Sequence, residues 1–276
     1  MNRKKLKRKR SHTSQKSTWT AIKDNAGLVA AIIGLFGVFI TGAVSTYTST
    51  QDQRIQRQLD AKDAKRQREL EQDKARETAL QTYLTDIGDL ILDNASPLRE
   101  SQAGGEASRL ARAKTLTVLQ GLDGARKRIL IQFLKEEELI NTPAPIVDLA
   151  GADLSYAQLV GVDKDRNQYY LNETNLAAAN LYRANMKNSV LDEANLSRAN
   201  LTRAVLSKST LSDANLEGAV LMKADLRTCR LVQANLSNAK LEDATLEAVD
   251  LRRFRGLFKT ENSTRKGEQC HEQTLP

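Results

Sequence analysis

Residue types that commonly carry out catalysis are scarce in this chain and far apart in its sequence. The 276 residues include two histidines, His12 in a basic N-terminal tail and His271 in the C-terminal tail. A catalytic triad or acid–base pair needs a rigid element that holds the imidazole against its partner, and we expect none in either tail. The sequence also lacks a glycine-rich phosphate-binding motif and clustered metal ligands. It therefore predicts a protein that is not an enzyme and that binds no metal or cofactor.

The two cysteines do not change this interpretation. Cys229 lies where the surrounding pattern places small residues that point inward, so we expect a packed thiol. Cys270 belongs to the C-terminal tail, so a disulfide between the two is not expected.

The excess of positive charge is confined to a basic tail, residues 1–24. The chain has a formal net charge of +8, and this tail holds nine basic residues and one acid, so the remainder is balanced. We interpret the tail as a topology signal that also contacts anionic lipid head groups. A nucleic-acid contact is disfavoured because an apolar segment follows directly.

Residues 25–48 form an uncharged, mostly apolar segment that predicts a transmembrane helix. Ala26–Tyr47 contains 22 residues, enough to cross a hydrocarbon core of roughly 30 Å. More basic residues precede the segment than follow it, which favours a cytoplasmic N-terminus with the C-terminal domain outside. The alternative is a cleaved signal peptide, since Thr41–Ala43 imitates a cleavage site. A homodimer is also compatible, because small residues share one helix face at Ala26, Ala30 and Gly34.

Helices are expected between this segment and the C-terminal half. Residues 49–78 are charged, lack proline and glycine, and predict a solvated helical stalk. Residues 79–141 predict three short helices with apolar residues at helical spacing. In this interpretation Leu110 and Ile129 face inward. We expect this helical region to cover the first turn of the structure that follows.

The rest of the chain is organised by apolar residues at every fifth position. Alanine commonly lies two positions before each of them. A period of five matches neither the helical period of 3.6 nor the strand period of two. It is typical of repeat architectures, in which small units have a core only when they stack. The predicted core positions are Leu171, Leu176, Leu181, Met186, Leu191, Leu196, Leu201, Leu206, Leu211, Leu216, Leu221, Leu226, Leu231, Leu236, Leu241, Leu246 and Leu251.

The repeated Ala-(Asn/Asp)-Leu pattern resembles the pentapeptide-repeat family. The resemblance implies a mainly β fold over residues 146–253: a right-handed quadrilateral β-helix with one pentapeptide per side and four per turn. The transmembrane helix and the small α-helical region would precede it. The segment Thr115–Ile140 also resembles a region that precedes the repeats in membrane-anchored bacterial members of the family.

Residues that recur every 20 positions independently indicate four sides. Residues other than alanine fill the small-residue position at Tyr169, Ser189, Ser209, Cys229 and Val249. Asparagine precedes the leucine at Asn175, Asn195, Asn215 and Asn235. Stacked about 4.8 Å apart, these asparagines are expected to form a hydrogen-bonded amide ladder.

The repeats begin before Leu171, and their register breaks once. Three earlier units are centred on Leu149, Leu154 and Leu159. Leu159 and Leu171 are two positions further apart than two units require, so polar residues 163–168 must bulge out as a tolerated insertion or a binding loop. Residues 254–276 are expected to form a cap and a disordered tail, with the open end covered by Phe254, Leu257 and Phe258.

Charged columns on the outside of the coil are the candidate interaction sites. Two positions after the leucines, one side carries acids at Glu173, Glu193 and Asp213. The opposite side carries bases at Arg183, Arg203 and Lys223. The simpler interpretation is a solvated surface in which screening makes these charges unimportant.

Two functions compete. The first is a non-enzymatic, membrane-tethered protein-interaction scaffold whose partners are the lipid bilayer and an unknown protein. The second is implied by the resemblance: a DNA-mimicking protein that binds a topoisomerase such as gyrase. The repeat region 171–251 holds nine basic and ten acidic residues, and a nearly neutral rod imitates DNA poorly. We therefore expect the scaffold, without a nucleic-acid partner.

Overall fold

The computed structural model describes residues 26–93, 98–140, 144–160 and 168–256. The basic tail, most of the predicted bulge at 163–168, and the predicted cap residues Leu257 and Phe258 lie outside the described residues. The chain divides into two compact units, residues 1–71 and residues 72–276.

One uninterrupted helix, α1, runs from Ala26 to Leu92. It includes the apolar segment, the predicted stalk and the first of the three predicted short helices. No proline occurs in this stretch, so nothing forces a break between these parts. In the first unit the large apolar side chains of α1 are exposed; those of Phe36 and Phe39 are 65% and 76% exposed.

In the second unit α1 is followed by a short 3-10 helix and two α-helices. The 3-10 helix is Leu98–Glu100, α2 is Glu106–Gly121 and α3 is Gly124–Glu136. The expectation that Leu110 and Ile129 face inward is wrong, since they are 47% and 44% exposed. The packed faces of the two helices are instead centred on Ala111, Thr115, Leu130, Ile131 and Leu134.

The repeats form a coil with four pentapeptides in each turn. Parallel β-bridges join positions that are 20 apart, and each turn contributes four of them, for example those starting at Asn175, Asn180, Asn185 and Val190. We call the four sides A to D. In one turn they are residues 170–174, 175–179, 180–184 and 185–189, and the same four sides recur in each later turn.

The prediction of a mainly β fold is wrong for the described residues, because helices contain far more of them than strands. The two regular strands are Tyr169–Tyr170 and Ser189–Val190, each two residues long. Each side of the coil makes one bridge and then turns at a residue with positive φ, such as Glu193 (61°) or Arg203 (60°). A turn at every fifth position leaves no room for a longer strand.

The leucines form one interior. All 15 predicted core positions from Leu171 to Leu241 are at most 1% exposed. Leu246 and Leu251 differ, because they are only partly buried. They belong to the last turn, and among the described residues no further turn covers them.

The first turn is displaced by a longer insertion than the sequence suggests. Asp153 pairs with Asn180 and Gln158 with Asn185, so the bridged positions differ by 27, whereas those of later turns differ by 20. Leu159 and Leu171 therefore lie on consecutive sides of the coil. The insertion between them is seven residues, not two.

Helix α3 packs against this first turn. The backbone N–H of Gln158 donates to the Gly124 carbonyl at 3.0 Å. A Cβ atom on Gly124 would lie 2.1 Å from the Tyr156 carbonyl oxygen, so only glycine permits this approach. Lys127, 2% exposed, donates from Nζ to the Ser155 carbonyl at 3.1 Å and lies 3.5 Å from Asp153.

Candidate interaction surface

The two charged columns lie on opposite sides of the coil. Glu173, Glu193 and Asp213 belong to side A, and Arg183, Arg203 and Lys223 belong to side C; all six are exposed. Their backbone has positive φ, between 55° and 61°. This left-handed turn lies at the outer corner of each repeat, which is why these side chains are exposed.

Few of these charges are paired inside the chain. Lys223 Nζ lies 3.9 Å from an oxygen of Asp243, the next residue in its column, and this exposed ion pair contributes little to stability. Among the described residues, no oppositely charged side chain lies within 4 Å of Arg183, Arg203, Glu193 or Asp213. Within each column like charges follow one another at about 4.8 Å, which is unfavourable.

Two tyrosines on side C adjoin the basic column. The ring of Tyr156 packs edge-on against Tyr182, with centroids 5.7 Å apart. The Arg183 guanidinium carbon lies 5.4 Å from the centre of the Tyr182 ring. Sequence reasoning missed this cluster because the insertion hides that Tyr156 and Tyr182 lie on consecutive turns.

Amide ladders hold consecutive turns in register. On side B, Asn195 donates to Asn175 at 3.1 Å, Asn215 to Asn195 at 3.4 Å and Asn235 to Asn215 at 3.2 Å. Asn175 in turn donates to Asp148 at 2.8 Å. A second ladder on side C, which sequence reasoning missed, joins Asp153, Asn180 and Asn200. Asparagines 20 positions apart, at 180 and 200, would have predicted this second ladder. It ends after two turns because position 220 is valine.

Cys229 is buried in the position expected for a small residue. It is 1% exposed, and its thiol donates to the Leu206 carbonyl at 2.7 Å. Burial raises the pKa of the thiol to about 11, although a hydrogen bond with Ser209 opposes the shift. A thiolate is the reactive form of cysteine, so this side chain is chemically inert in the folded protein.

The buried ammonium group of Lys127 holds helix α3 against the first turn of the coil. Burial lowers the pKa of Lys127, and the nearby carboxylate of Asp153 partly opposes that shift. Within the described ranges there is no group of three or more histidine, cysteine or acidic side chains that could hold a metal ion. The arrangement of the described residues offers outer surfaces for binding.

The pentapeptide repeat family matches this chain in eight copies, over residues 170–207, 199–232 and 229–253. The stretch from 170 to 253 is therefore a pentapeptide-repeat domain, and this chain carries it C-terminal to a long helix. The match implies that the coil over these residues is a right-handed β-helix. No curated protein matches the sequence of the chain.

Solved pentapeptide-repeat structures resemble part of the chain. One, from the cyanobacterium Cyanothece 51142, is 29% identical with a TM-score of 0.34, covering 36% of this chain and 68% of the other. HetL from Nostoc sp. strain PCC 7120, involved in heterocyst differentiation regulation, is 32% identical (TM-score 0.20; 37% and 57% covered). QnrB1, a plasmid-mediated fluoroquinolone resistance protein, is 18% identical (TM-score 0.22; 40% and 79% covered).

Proposed function

We propose that this protein is a non-enzymatic interaction scaffold tethered to a membrane through helix α1. The observation that carries the proposal is an exposed apolar helix in the same chain as a repeat domain whose interior is filled. A filled interior leaves only the outer sides for function.

The tether is supported by the length and exposure of α1. In the described part of the chain, one helix is long and apolar enough to cross a membrane. The large apolar side chains that the structure describes between Leu28 and Tyr47, with Val29 left aside, are between 45% and 76% exposed. Water penalises so large an apolar surface, whereas lipid accommodates it. A signal sequence would have a similar composition, but no break separates this segment from the helix that continues to Leu92.

The scaffold role follows from what the repeat domain exposes. Each repeat presents two outward residues on a backbone fixed by hydrogen bonds to the turns before and after it, such as Arg203 N–H to Met222 O at 2.9 Å. Such an arrangement displays side chains at constant spacing, which suits recognition of another protein along a flat side. The near-neutral repeat region does not suit imitation of DNA.

The test is recovery of partners from native membranes after mild cross-linking. The parent chain is compared with a variant carrying Arg183→Glu and Arg203→Glu on side C. A matched control carries Arg198→Glu on side B and Arg230→Glu on side A, which changes the net charge equally. We expect the side C variant alone to lose its protein partners. Equal recovery from all three chains, or recovery of the parent only from the soluble fraction, would contradict the proposal.

A further inference from the structure

The charges of the repeat domain are separated between its sides. Over the three turns from 170 to 229, sides C and D carry one acid, Asp225, against six bases: Arg183, Lys187, Arg203, Lys208, Lys223 and Arg227. Sides A and B carry one base, Arg198, against five acids: Glu173, Asp192, Glu193, Asp213 and Glu217. The repeat region is nearly neutral as a whole, but over these three turns two adjacent sides are mainly basic and the other two are mainly acidic; the fourth turn does not continue the separation, because its sides C and D carry Glu242, Asp243 and Glu247.

The two opposed columns have the same spacing. The Arg183 N–H donates to the backbone of the next turn at 3.0 Å, and the Glu193 N–H does so at 2.8 Å. Each column therefore advances by one turn per charge, about 4.8 Å. Two coils laid side by side in parallel bring acids of one copy opposite bases of the other over these three turns.

The unpaired charges make this contact favourable. Arg183 and Arg203 on side C, and Glu193 and Asp213 on side A, have no partner of opposite charge among the described residues. Within one copy each charge experiences a like charge one turn away. In a pair of copies each charge on the two sides in contact gains an opposite charge, which offsets the repulsion within those two columns.

We propose that side A of one copy binds side C of a second copy. The contact joins two different surfaces, so a pair retains one free basic side on one copy and one free acidic side on the other, and further copies add to form an open lateral row. Because exposed ion pairs are individually weak, the row needs the high local concentration that a common membrane supplies. In this respect the inference rests on the proposed function, and it names a second copy of this chain as a partner.

The test uses the full chain in neutral phosphatidylcholine vesicles at low protein density. Donor and acceptor fluorophores are attached at Cys270, since Cys229 is 1% exposed. Energy transfer between copies is measured at about 10 mM salt, where charges act over about 30 Å. One variant carries Arg183→Glu and Arg203→Glu, and another carries Glu193→Lys and Asp213→Lys. Thermal unfolding of each variant checks its fold.

Lateral pairing predicts that either variant alone loses the energy transfer, with about tenfold fewer paired copies, since like charges now meet. An equal mixture of the two variants should recover the parental signal, because the reversed side C of one variant fits the reversed side A of the other. A structural defect would not be rescued by mixing. Three results would each overturn the inference. They are energy transfer in the parent no higher than that of randomly distributed copies, unchanged energy transfer in either single variant, and no recovery of energy transfer in the mixture. Vesicle flotation, measured on the same samples, tests the tether separately.

Discussion

Replacing Leu206 by alanine should open the middle of the repeat domain far more often than in the parent. Leu206 is 0% exposed, and its carbonyl accepts the thiol hydrogen bond of Cys229 at 2.7 Å. Its own N–H donates to the Asp225 carbonyl of the next turn at 2.8 Å. The side chain therefore fills the core directly beside the buried thiol, which serves as a local probe of opening.

The expected loss of stability follows from the carbon atoms removed. Burial of three carbons contributes about 0.8 kcal/mol each, and the cavity left in a rigid core adds to this, which gives about 3 to 4 kcal/mol. Because about 1.4 kcal/mol changes an equilibrium tenfold, the open state becomes roughly 100- to 1,000-fold more populated.

The assay is the rate at which Cys229 reacts with a thiol reagent in a Cys270→Ser background. The folded thiol is unreactive because it is buried and its pKa is raised to about 11, so reaction reports opening. Leu251→Ala is the matched control: Leu251 lies in the last turn and is partly exposed, so its truncation should change the rate much less.

A Leu206→Ala rate within threefold of the parent would refute the reasoning. It would mean that the leucine contributes little to a shared interior. Equal acceleration by Leu206→Ala and Leu251→Ala would also contradict it, because the two positions differ in burial.

Three further perturbations address the ladder, the helical region and its pH dependence. Asn195→Ala removes three hydrogen bonds, to Asn175, Asn215 and Ser197. We therefore expect the free energy of unfolding, measured in urea, to fall by about 2 to 4 kcal/mol. The control Asn185→Ala removes two exposed hydrogen bonds and should lower it by about half as much. Gly124→Ala should lower the free energy of unfolding by about 2 kcal/mol, because the added Cβ meets the Tyr156 carbonyl. The control Gly121→Ala should not lower it, because a Cβ there meets nothing within 4 Å. Burial opposes ionisation of Asp153, but hydrogen bonds with Ser155 and the charge of Lys127 outweigh burial, so the pKa of Asp153 is lowered from 3.8. The stability that the ionised carboxylate contributes is present above pH 3.8. It is lost as the pH falls through the lower pKa of the folded state. Unfolding midpoints at pH 7 and pH 3 should therefore differ less in Asp153→Asn than in the parent.

The interior of the repeats could be predicted because its repetition in sequence is also its repetition in space. One side chain in every five points into the interior of the coil, so a single pattern predicts the burial of all the core positions from Leu171 to Leu241. The recurrence of asparagine once per turn predicts hydrogen bonds such as that from Asn195 to Asn175 for the same reason. Leu246 and Leu251 follow the pattern equally well, but their burial depends on a further turn that the pattern does not specify.

The helical region was harder to predict because its faces depend on neighbours distant in sequence. Leu110 and Ile129 fit an apolar helical face, but α2 and α3 are rotated so that Ala111 and Ile131 are buried instead. The burial of Lys127 depends on carbonyl and carboxylate groups of the first repeat turn, which lie well beyond α3 in the sequence. The opposed charged columns, by contrast, were predicted from the sequence, because a period of 20 residues shows which side each residue occupies.

The most direct test of the account is whether the intact chain stays in the membrane. Membranes from expressing cells are washed with alkaline carbonate, and the mass of the retained protein is measured. We predict that the membranes retain the full-length chain with its N-terminal segment uncleaved. A variant carrying Phe36→Arg and Phe39→Arg in the apolar part of α1 should be released, because charge at the centre of a membrane helix is unfavourable. A parent chain found in the soluble fraction, or one that has lost the apolar segment, would contradict the tethered scaffold.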